Sequence, residues 1–280
     1  MTAVDVERLL GILREAAELI NDVYRGGFDV EYKAPGDPIT VADRHANELI
    51  CRRLSALYPD VPVVAEESDA NRYANYRSRP VVFFVDPVDG TREFVNRNGE
   101  FVTMLGVLEG NRASIGVVVQ PTTGEAGVGI VGQGAWRVTR DGHRSPIHVT
   151  NTDALAGARL VASRSGDENR YEEIRRRLGV AAISPLGSAG LKGLVIARGE
   201  AEAYVTPDYG GNRWDACPID ALVTAAGGRF GDAYGAEIDY RSESLVNDRG
   251  IVASNGSLHE RLLDLLQQRR AKRSQENSST

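Results

Sequence analysis

Asp86 and Asp89 are the residues best placed to do chemistry in this chain. They close the run Val81-Val82-Phe83-Phe84-Val85-Asp86-Pro87-Val88-Asp89-Gly90-Thr91. Consecutive apolar, β-branched and aromatic residues predict a fully buried strand. Pro87 lacks an N–H, so strand pairing is predicted to stop at Asp86. Asp89-Gly90 predicts a turn, and Thr91 follows where free backbone N–H groups can face an anion. A second acidic patch, Glu66-Glu67, ends the short apolar run Val63-Val64-Ala65. Two strands ending in carboxylates gather acids that repel one another unless a cation stands between them. Hard oxygen ligands beside an anion cradle suit Mg²⁺ and phosphate.

The flanking elements must position these groups. Val6 to Tyr24 carries its apolar residues on one helical face, and Gly26-Gly27 ends it. Residues 28 to 38 read as a loop or hairpin. A second helix is predicted from Val41 to Tyr58, with Thr40 as N-cap and Asp43 in its first turn. That placement alone makes Asp43 a capping carboxylate. After a polar surface loop at 69 to 80 and the central strand, a meander is predicted through Phe101–Leu108, Ala113–Val119, Ala126–Ile130 and Ala135–Val138. Residues 141 to 158 read as a loop, so the expected division is residues 1–145, 146–270 and a disordered polar tail at 271–280. The second part alternates strands and helices, which predicts an α/β layer. One helix there starts near Pro218 and the last covers Leu258 to Gln268.

The composition is that of a globular protein: 42% hydrophobic and 26% charged over 280 residues. A net charge of −6 excludes an electrostatic footprint for a nucleic-acid polymer or an anionic membrane. Cys51 and Cys217 are the only cysteines, which fits a reducing compartment, so a cytoplasmic location is expected. No signal peptide and no membrane-spanning run are evident.

Four motifs in this order carry a family resemblance: Thr40-Val41-Ala42-Asp43, Ala65-Glu66-Glu67-Ser68, Asp86-Pro87-Val88-Asp89-Gly90-Thr91 and Trp214-Asp215. Together they resemble the inositol monophosphatase superfamily over roughly residues 5 to 265. The resemblance implies a layered α/β/α/β/α sandwich and a Mg²⁺-dependent, lithium-sensitive phosphatase with two or three Mg²⁺ per site. It implies one metal on Glu66, Asp86 and the Val88 carbonyl, and a second on Asp86, Asp89 and Asp215. Glu67 would stand behind them or hold a third metal. Gly90 and Thr91 would hold the phosphate. Asp43 and Thr91, with Glu66, would orient the attacking water.

Within the superfamily, Arg92-Glu93-Phe94, Ser163-Arg164-Ser165 and Gly187-Ser188-Ala189-Gly190-Leu191-Lys192 resemble the 3′(2′),5′-bisphosphate nucleotidase branch. Ser163, Ser188 and Lys192 would then contact substrate, with Lys192 on a second phosphate. The chain departs from that branch at Gly166, where His is common. A sugar-reading Glu before Trp214 is also absent, and Asp208 is the candidate in its place. The alternatives are an inositol monophosphatase or other sugar-phosphate phosphatase, and a non-catalytic phosphate-binding relative. The expected partners are a small phosphorylated substrate, with a homodimer as one option, and neither nucleic acid nor membrane.

Overall fold

A computed structural model describes residues 4–278. The chain opens with helix α1 (Val6–Arg25), capped by the Asp5 side chain on the Glu7 N–H. A hairpin of β1 (Val30–Ala34) and β2 (Asp37–Thr40) leads into α2 (Val41–Leu57). Next come β3 (Val63–Ala65), β4 (Val81–Asp89), the short helix α3 (Thr91–Val95), β5 (Val102–Glu109), β6 (Arg112–Gln120), β7 (Glu125–Ile130), β8 (Gly134–Val138) and β9 (Arg144–Ile147). Strands β3 to β9 form a seven-stranded sheet in chain order. All its pairs are antiparallel except β3 with β4.

The remaining elements are β10 (Arg159–Ser163), α4 (Glu168–Leu178), β11 (Ala182–Leu186), α5 (Ala189–Ala197), β12 (Ala203–Thr206), α6 (Arg213–Ala225), β13 (Arg229–Gly231), β14 (Ile251–Ser254) and α7 (His259–Ser278). Their strands form a five-stranded mixed sheet in the order β11-β10-β12-β14-β13.

The layers follow from side-chain alternation along the strands. Phe83 and Val85 of β4 face Leu9, Leu13 and Ile50 of α1 and α2. Val82 and Phe84 face the other way, toward Ala216, Cys217 and Ala221 of α6. Both faces are covered, which is why β4 reads as a continuous apolar run. α5 and α6 also bury Leu194, Ile219 and Leu222 against the second sheet, through Val161, Tyr204 and Ala253. Leu258, Leu262 and Leu266 close the outer face of that sheet. Each such fully buried Leu, Ile or Phe contributes about 1.5–3 kcal/mol. The result is the expected α/β/α/β/α sandwich. Gly106 and Gly116 let α6 lie close on the first sheet, since a Cβ at either would collide with the backbone of Pro218.

Three expectations are corrected. β4 does not end at Asp86. Asp86 pairs with Met104, the ladder skips Pro87 and Val88, and pairing resumes at Asp89 with Val102. Proline interrupts the ladder as a bulge instead of stopping it. The first sheet also passes residue 145, because β9 carries Pro146 on an edge strand, where a missing N–H costs nothing. Finally, α7 continues to Ser278, so the polar segment from Ala271 is helical that far; residues 279 and 280 lie outside the described residues. No helix among the described residues is long and apolar enough to cross a membrane.

Candidate active site

β3 and β4 run parallel, so their C-terminal ends emerge at the same edge of the sheet. Glu66 is therefore set beside Asp86, and its N–H donates to the Val85 carbonyl at 3.2 Å. The bulge then folds Asp86 and Asp89 inward, leaving them 2% and 9% exposed. α6 supplies the third acid from the second half of the chain. Its first turn closes a capping box, in which Asp215 Oδ2 accepts from the Asn212 N–H at 2.5 Å. One carboxylate oxygen each from Asp86, Asp89 and Asp215 lies within 4.8 Å of the others. α6 begins at Arg213, before the predicted start near Pro218.

Asp86, Asp215 and Glu66 are out of the ordinary carboxylate range. Burial pushes Asp86 well above the usual carboxylate pKa, and Glu66, Asp89 and Asp215 push it further. Burial, then Asp89 and Glu66, raise Asp215 to about 8. Burial raises Glu66 to about 7 against the opposing pull of Lys33. Oxygens of Asp86, Asp89 and Asp215 lie within 4.8 Å of one another, and carboxylates this close do not all ionise unless a cation compensates them. The donor set is all oxygen and strongly negative, which fits a hard divalent cation such as Mg²⁺. A cation of the protein's own already sits on part of the cluster. The Lys33 Nζ on β1 lies 2.6 Å from Glu66 and 2.8 Å from Glu67. Burial works against that ammonium, but the two carboxylates outweigh it and hold its pKa above the usual lysine value.

Asp43 is buried at 1% exposure and serves two elements at once. Its Oδ2 takes the Thr40 N–H at 2.8 Å and the Thr40 hydroxyl at 2.6 Å, which caps α2. Its Oδ1 takes the Thr91 hydroxyl at 2.9 Å. The same hydroxyl lies 3.1 Å from the Val88 carbonyl. The Val88 N–H donates back to Asp86 Oδ1 at 3.0 Å, so the bulge is tied to the first of the clustered acids. Gly90 caps α3 at φ 98°, where any side chain would press on the Glu100 carbonyl. The first N–H groups of a helix have no intrahelical acceptor, which leaves those of Gly90 and Thr91 available to an anion.

The expected substrate contacts fall in different places. Ser188, in a left-handed conformation at φ 56°, donates its hydroxyl to Asp89 Oδ2 at 2.5 Å. The Gly190 N–H joins it on the same oxygen at 2.5 Å. Lys192 is buried, not solvent-facing, at 3% exposure. Its ammonium donates to the Leu186 and Ser188 carbonyls at 3.0 and 2.6 Å and lies 5.1 Å from the Tyr204 ring centre. Ser163 pairs with Ser165 at 2.9 Å. Asp208 is ion-paired with Arg269 at 3.5 Å. Arg164 forms a two-pronged ion pair with Glu100, whose carboxylate also accepts the Gly187 N–H at 2.7 Å. Arg92 holds the hairpin by donating to the Gly36 carbonyl at 3.0 and 2.5 Å.

Sequence reasoning passed over Lys33, Glu100 and the short chain from Lys192 through Ser188 to Asp89. Lys33 stood in a loop without a motif, and its acidic partners lie more than thirty residues away. The gathering of acids at the ends of two strands was the one signal that a lysine nearby could answer them.

The chain is similar to known proteins in fold and in sequence. The closely matching fold of the extragenic suppressor protein suhB from Bartonella henselae covers 93% of this chain and 97% of its own, with TM-score 0.79 at 22% identity. The Thermotoga maritima IMPase gives TM-score 0.79 at 24% identity, over 94% of this chain and 96% of its own. Among curated sequences, the 3′(2′),5′-bisphosphate nucleotidase CysQ of Salmonella typhimurium is 32% identical across 86% of this chain and 96% of the relative. The protein of the same name from Escherichia coli K12 is 33% identical over the same shares. The Inositol monophosphatase family model matches residues 4–271, and the chain belongs to that family.

Proposed function

We propose that this chain is a Mg²⁺-dependent phosphatase of small phosphomonoesters, acting on 3′(2′),5′-bisphosphate nucleotides and converting 3′-phosphoadenosine 5′-phosphate to AMP and phosphate. The observation that carries the phosphatase reading is the Thr91 hydroxyl on Asp43, held beside the Asp86, Asp89 and Asp215 oxygens. The likeness to nucleotidases named CysQ, at 32–33% identity, supports the choice of substrate.

Asp86, Asp89 and Asp215 would hold one Mg²⁺, and Glu66, Asp86 and the Val88 carbonyl a second, with Glu67 available to a third. When bound, Mg²⁺ supplies the positive charge that a transferring phosphoryl group requires and acidifies water. The protein's own part is positional. The Thr91 proton points between two acceptors, Asp43 and Val88, so its lone pairs face the cleft. A water placed there gives a proton to Thr91 as Thr91 passes its own to Asp43. Burial holds Asp43 above the ordinary carboxylate pKa, which suits it to receive that proton. Glu66, whose carboxylate the Lys33 ammonium meets at 2.6 Å, would help to orient that water. The water oxygen bonds to phosphorus as the ester oxygen departs from the opposite side. The Gly90 and Thr91 N–H groups hold the phosphoryl oxygens through the transfer.

A phosphate-release panel tests the reading. 3′-Phosphoadenosine 5′-phosphate is expected to exceed inositol 1-phosphate, fructose 1,6-bisphosphate and an aryl phosphate in kcat/KM, with no release when Mg²⁺ is chelated. Preferred hydrolysis of inositol 1-phosphate would replace the nucleotidase reading with a sugar-phosphate one. Release of phosphate from none of them would revive the non-catalytic alternative.

A further inference from the structure

Glu100 lies between α3 and β5, and its carboxylate reaches two loops of the second sheet. Its backbone is tied down first. The Glu100 N–H donates to the Asn98 side chain at 3.0 Å, and the Gln120 amide and Thr122 hydroxyl both donate to the Gly99 carbonyl at 3.2 Å. From that base the carboxylate accepts from both loops. Arg164, after β10, donates Nε at 2.6 Å and Nη2 at 2.5 Å. Gly187, after β11, donates its N–H at 2.7 Å. The Glu100 side chain is only 21% exposed, so the charge pair is partly sheltered from screening.

Gly187 opens the turn that holds one of the clustered acids. Ser188 follows it at φ 56°, a conformation that lasts in a non-glycine residue only where its surroundings over-determine it. The contacts on this turn do so. Glu100 takes the Gly187 N–H on one side, and the Lys192 ammonium donates to the Leu186 and Ser188 carbonyls on the other. The Ser188 hydroxyl accepts from the Leu191 N–H at 2.9 Å and donates to Asp89 Oδ2, where the Gly190 N–H joins it. The segment has no slack. A Cβ at Gly187 would lie 2.3 Å from Glu93 Cγ and 3.0 Å from Glu100 Cβ, and one at Gly190 would lie 2.7 Å from Met104 Sδ. With Oδ2 engaged by two donors, Asp89 is held in one orientation and offers Oδ1 to a cation.

We infer that Glu100 is a positioning residue for the metal-assisted reaction: through the Gly187 N–H it fixes the Ser188 turn, and the turn aims Asp89 at the cation. Arg164 is the counter-charge that keeps the carboxylate in place, by a two-pronged pairing that fixes direction as well as distance. The inference rests on the Mg²⁺-phosphatase reading and adds to it a residue that acts through the turn, not on the substrate.

Calorimetric titration with Mg²⁺ tests it on the unmodified protein and on Glu100→Ala, Glu100→Asp and Glu100→Gln. Alanine removes the acceptor of Gly187 and the partner of Arg164 together. It is expected to raise the Mg²⁺ dissociation constant about tenfold, the low end of the loss when a partner of a metal ligand is removed. The Mg²⁺ needed for half-maximal turnover should rise by the same factor on 3′-phosphoadenosine 5′-phosphate and on inositol 1-phosphate, and excess Mg²⁺ should restore kcat with substrate KM near normal. Aspartate keeps the charge for Arg164 but falls short of Gly187, so it should shift with alanine and serves in its place if alanine does not fold. Glutamine gives up the ion pair but keeps an acceptor for the Gly187 N–H, so most of the Mg²⁺ affinity should return. A brace with no bearing on the site would lower the thermal midpoint without metal and leave the isotherms alone. Unchanged isotherms in the alanine and aspartate variants therefore overturn the inference, as does a glutamine variant no better than alanine. An unmodified protein that binds no Mg²⁺ overturns the phosphatase reading and the positioning role with it.

Discussion

Thr91 donates its hydroxyl to Asp43 at 2.9 Å, and the other oxygen of that carboxylate caps α2 through Thr40. On the proposed mechanism, capping and proton transfer are one arrangement. The cap fixes the carboxylate in a single rotamer, and the fixed carboxylate directs the Thr91 proton away from the cleft. Thr91→Val keeps shape and burial but removes the hydroxyl. The expected result is a fall in kcat of roughly 10²–10⁴-fold, the usual range for a lost proton-transfer group. Thr91→Ser should recover most of it. A valine variant with normal kcat would take Thr91 out of the proton path.

Asp86 has three acidic neighbours, so its charge is unfavourable to the fold unless cations share it. Asp86→Asn keeps the size and removes the charge. Losing only the partner of a metal ligand costs about 10–100-fold, so losing this one should cost more. The thermal midpoint without metal should hold or rise. The rise that Mg²⁺ gives the unmodified protein by mass action should shrink or vanish. Calorimetric titration with Mg²⁺ reads the binding directly, and an unaltered isotherm would refute the assignment.

What could be read from the chain differs from element to element for a physical reason. The apolar run of β4 and its terminal acids were legible, because burial on both faces leaves a local signature. Thr40 and Asp43 were legible as a cap for the same reason. The return of β4 to its ladder at Asp89 was not, because it depends on Val102 across the sheet. Nor was the contact of Ser188 with Asp89, which joins residues 99 apart in sequence. Lys33 on Glu66 is a long-range choice of the same kind. Local pattern predicts elements; pairings between them are settled by packing and charge.

Asp220 offers a test of pH dependence away from the clustered acids. It takes the Tyr240 hydroxyl at 2.9 Å and the Thr224 hydroxyl at 3.2 Å. Burial raises its pKa to about 7 in spite of those bonds. The folded state therefore holds a proton that the unfolded state releases near pH 4. Stability falls as pH rises between those limits, by at most about 1.4 kcal/mol per pH unit, and levels off above 7. Asp220→Asn removes the ionisation and retains an acceptor for Tyr240. Its denaturant midpoint relative to the unmodified protein should improve steadily from pH 4 to pH 7. A difference that stays flat across that window would show that Asp220 ionises without penalty.

Lys192 decides between direct and indirect action on the substrate. Its ammonium is buried on the Leu186 and Ser188 carbonyls, and Ser188 in turn holds Asp89. Burial lowers its pKa against the pull of Asp89, Glu93 and Glu100. Lys192→Met keeps the packing length but removes the ammonium from the Leu186 and Ser188 carbonyls, which keep only the Arg164 N–H at 3.2 Å and the residue's own N–H at 3.4 Å. The strained Ser188 turn should then relax and release Asp89. On this geometry the loss appears on every substrate, mainly in kcat, with a weaker response to Mg²⁺. If Lys192 instead reaches a second phosphate, the loss is confined to bisphosphates and lies mainly in KM, because that group is bound alike in ground and transition states. Kinetics on 3′-phosphoadenosine 5′-phosphate and inositol 1-phosphate separate the two. Equal falls in kcat are expected, and a nucleotide-only rise in KM would return Lys192 to the substrate.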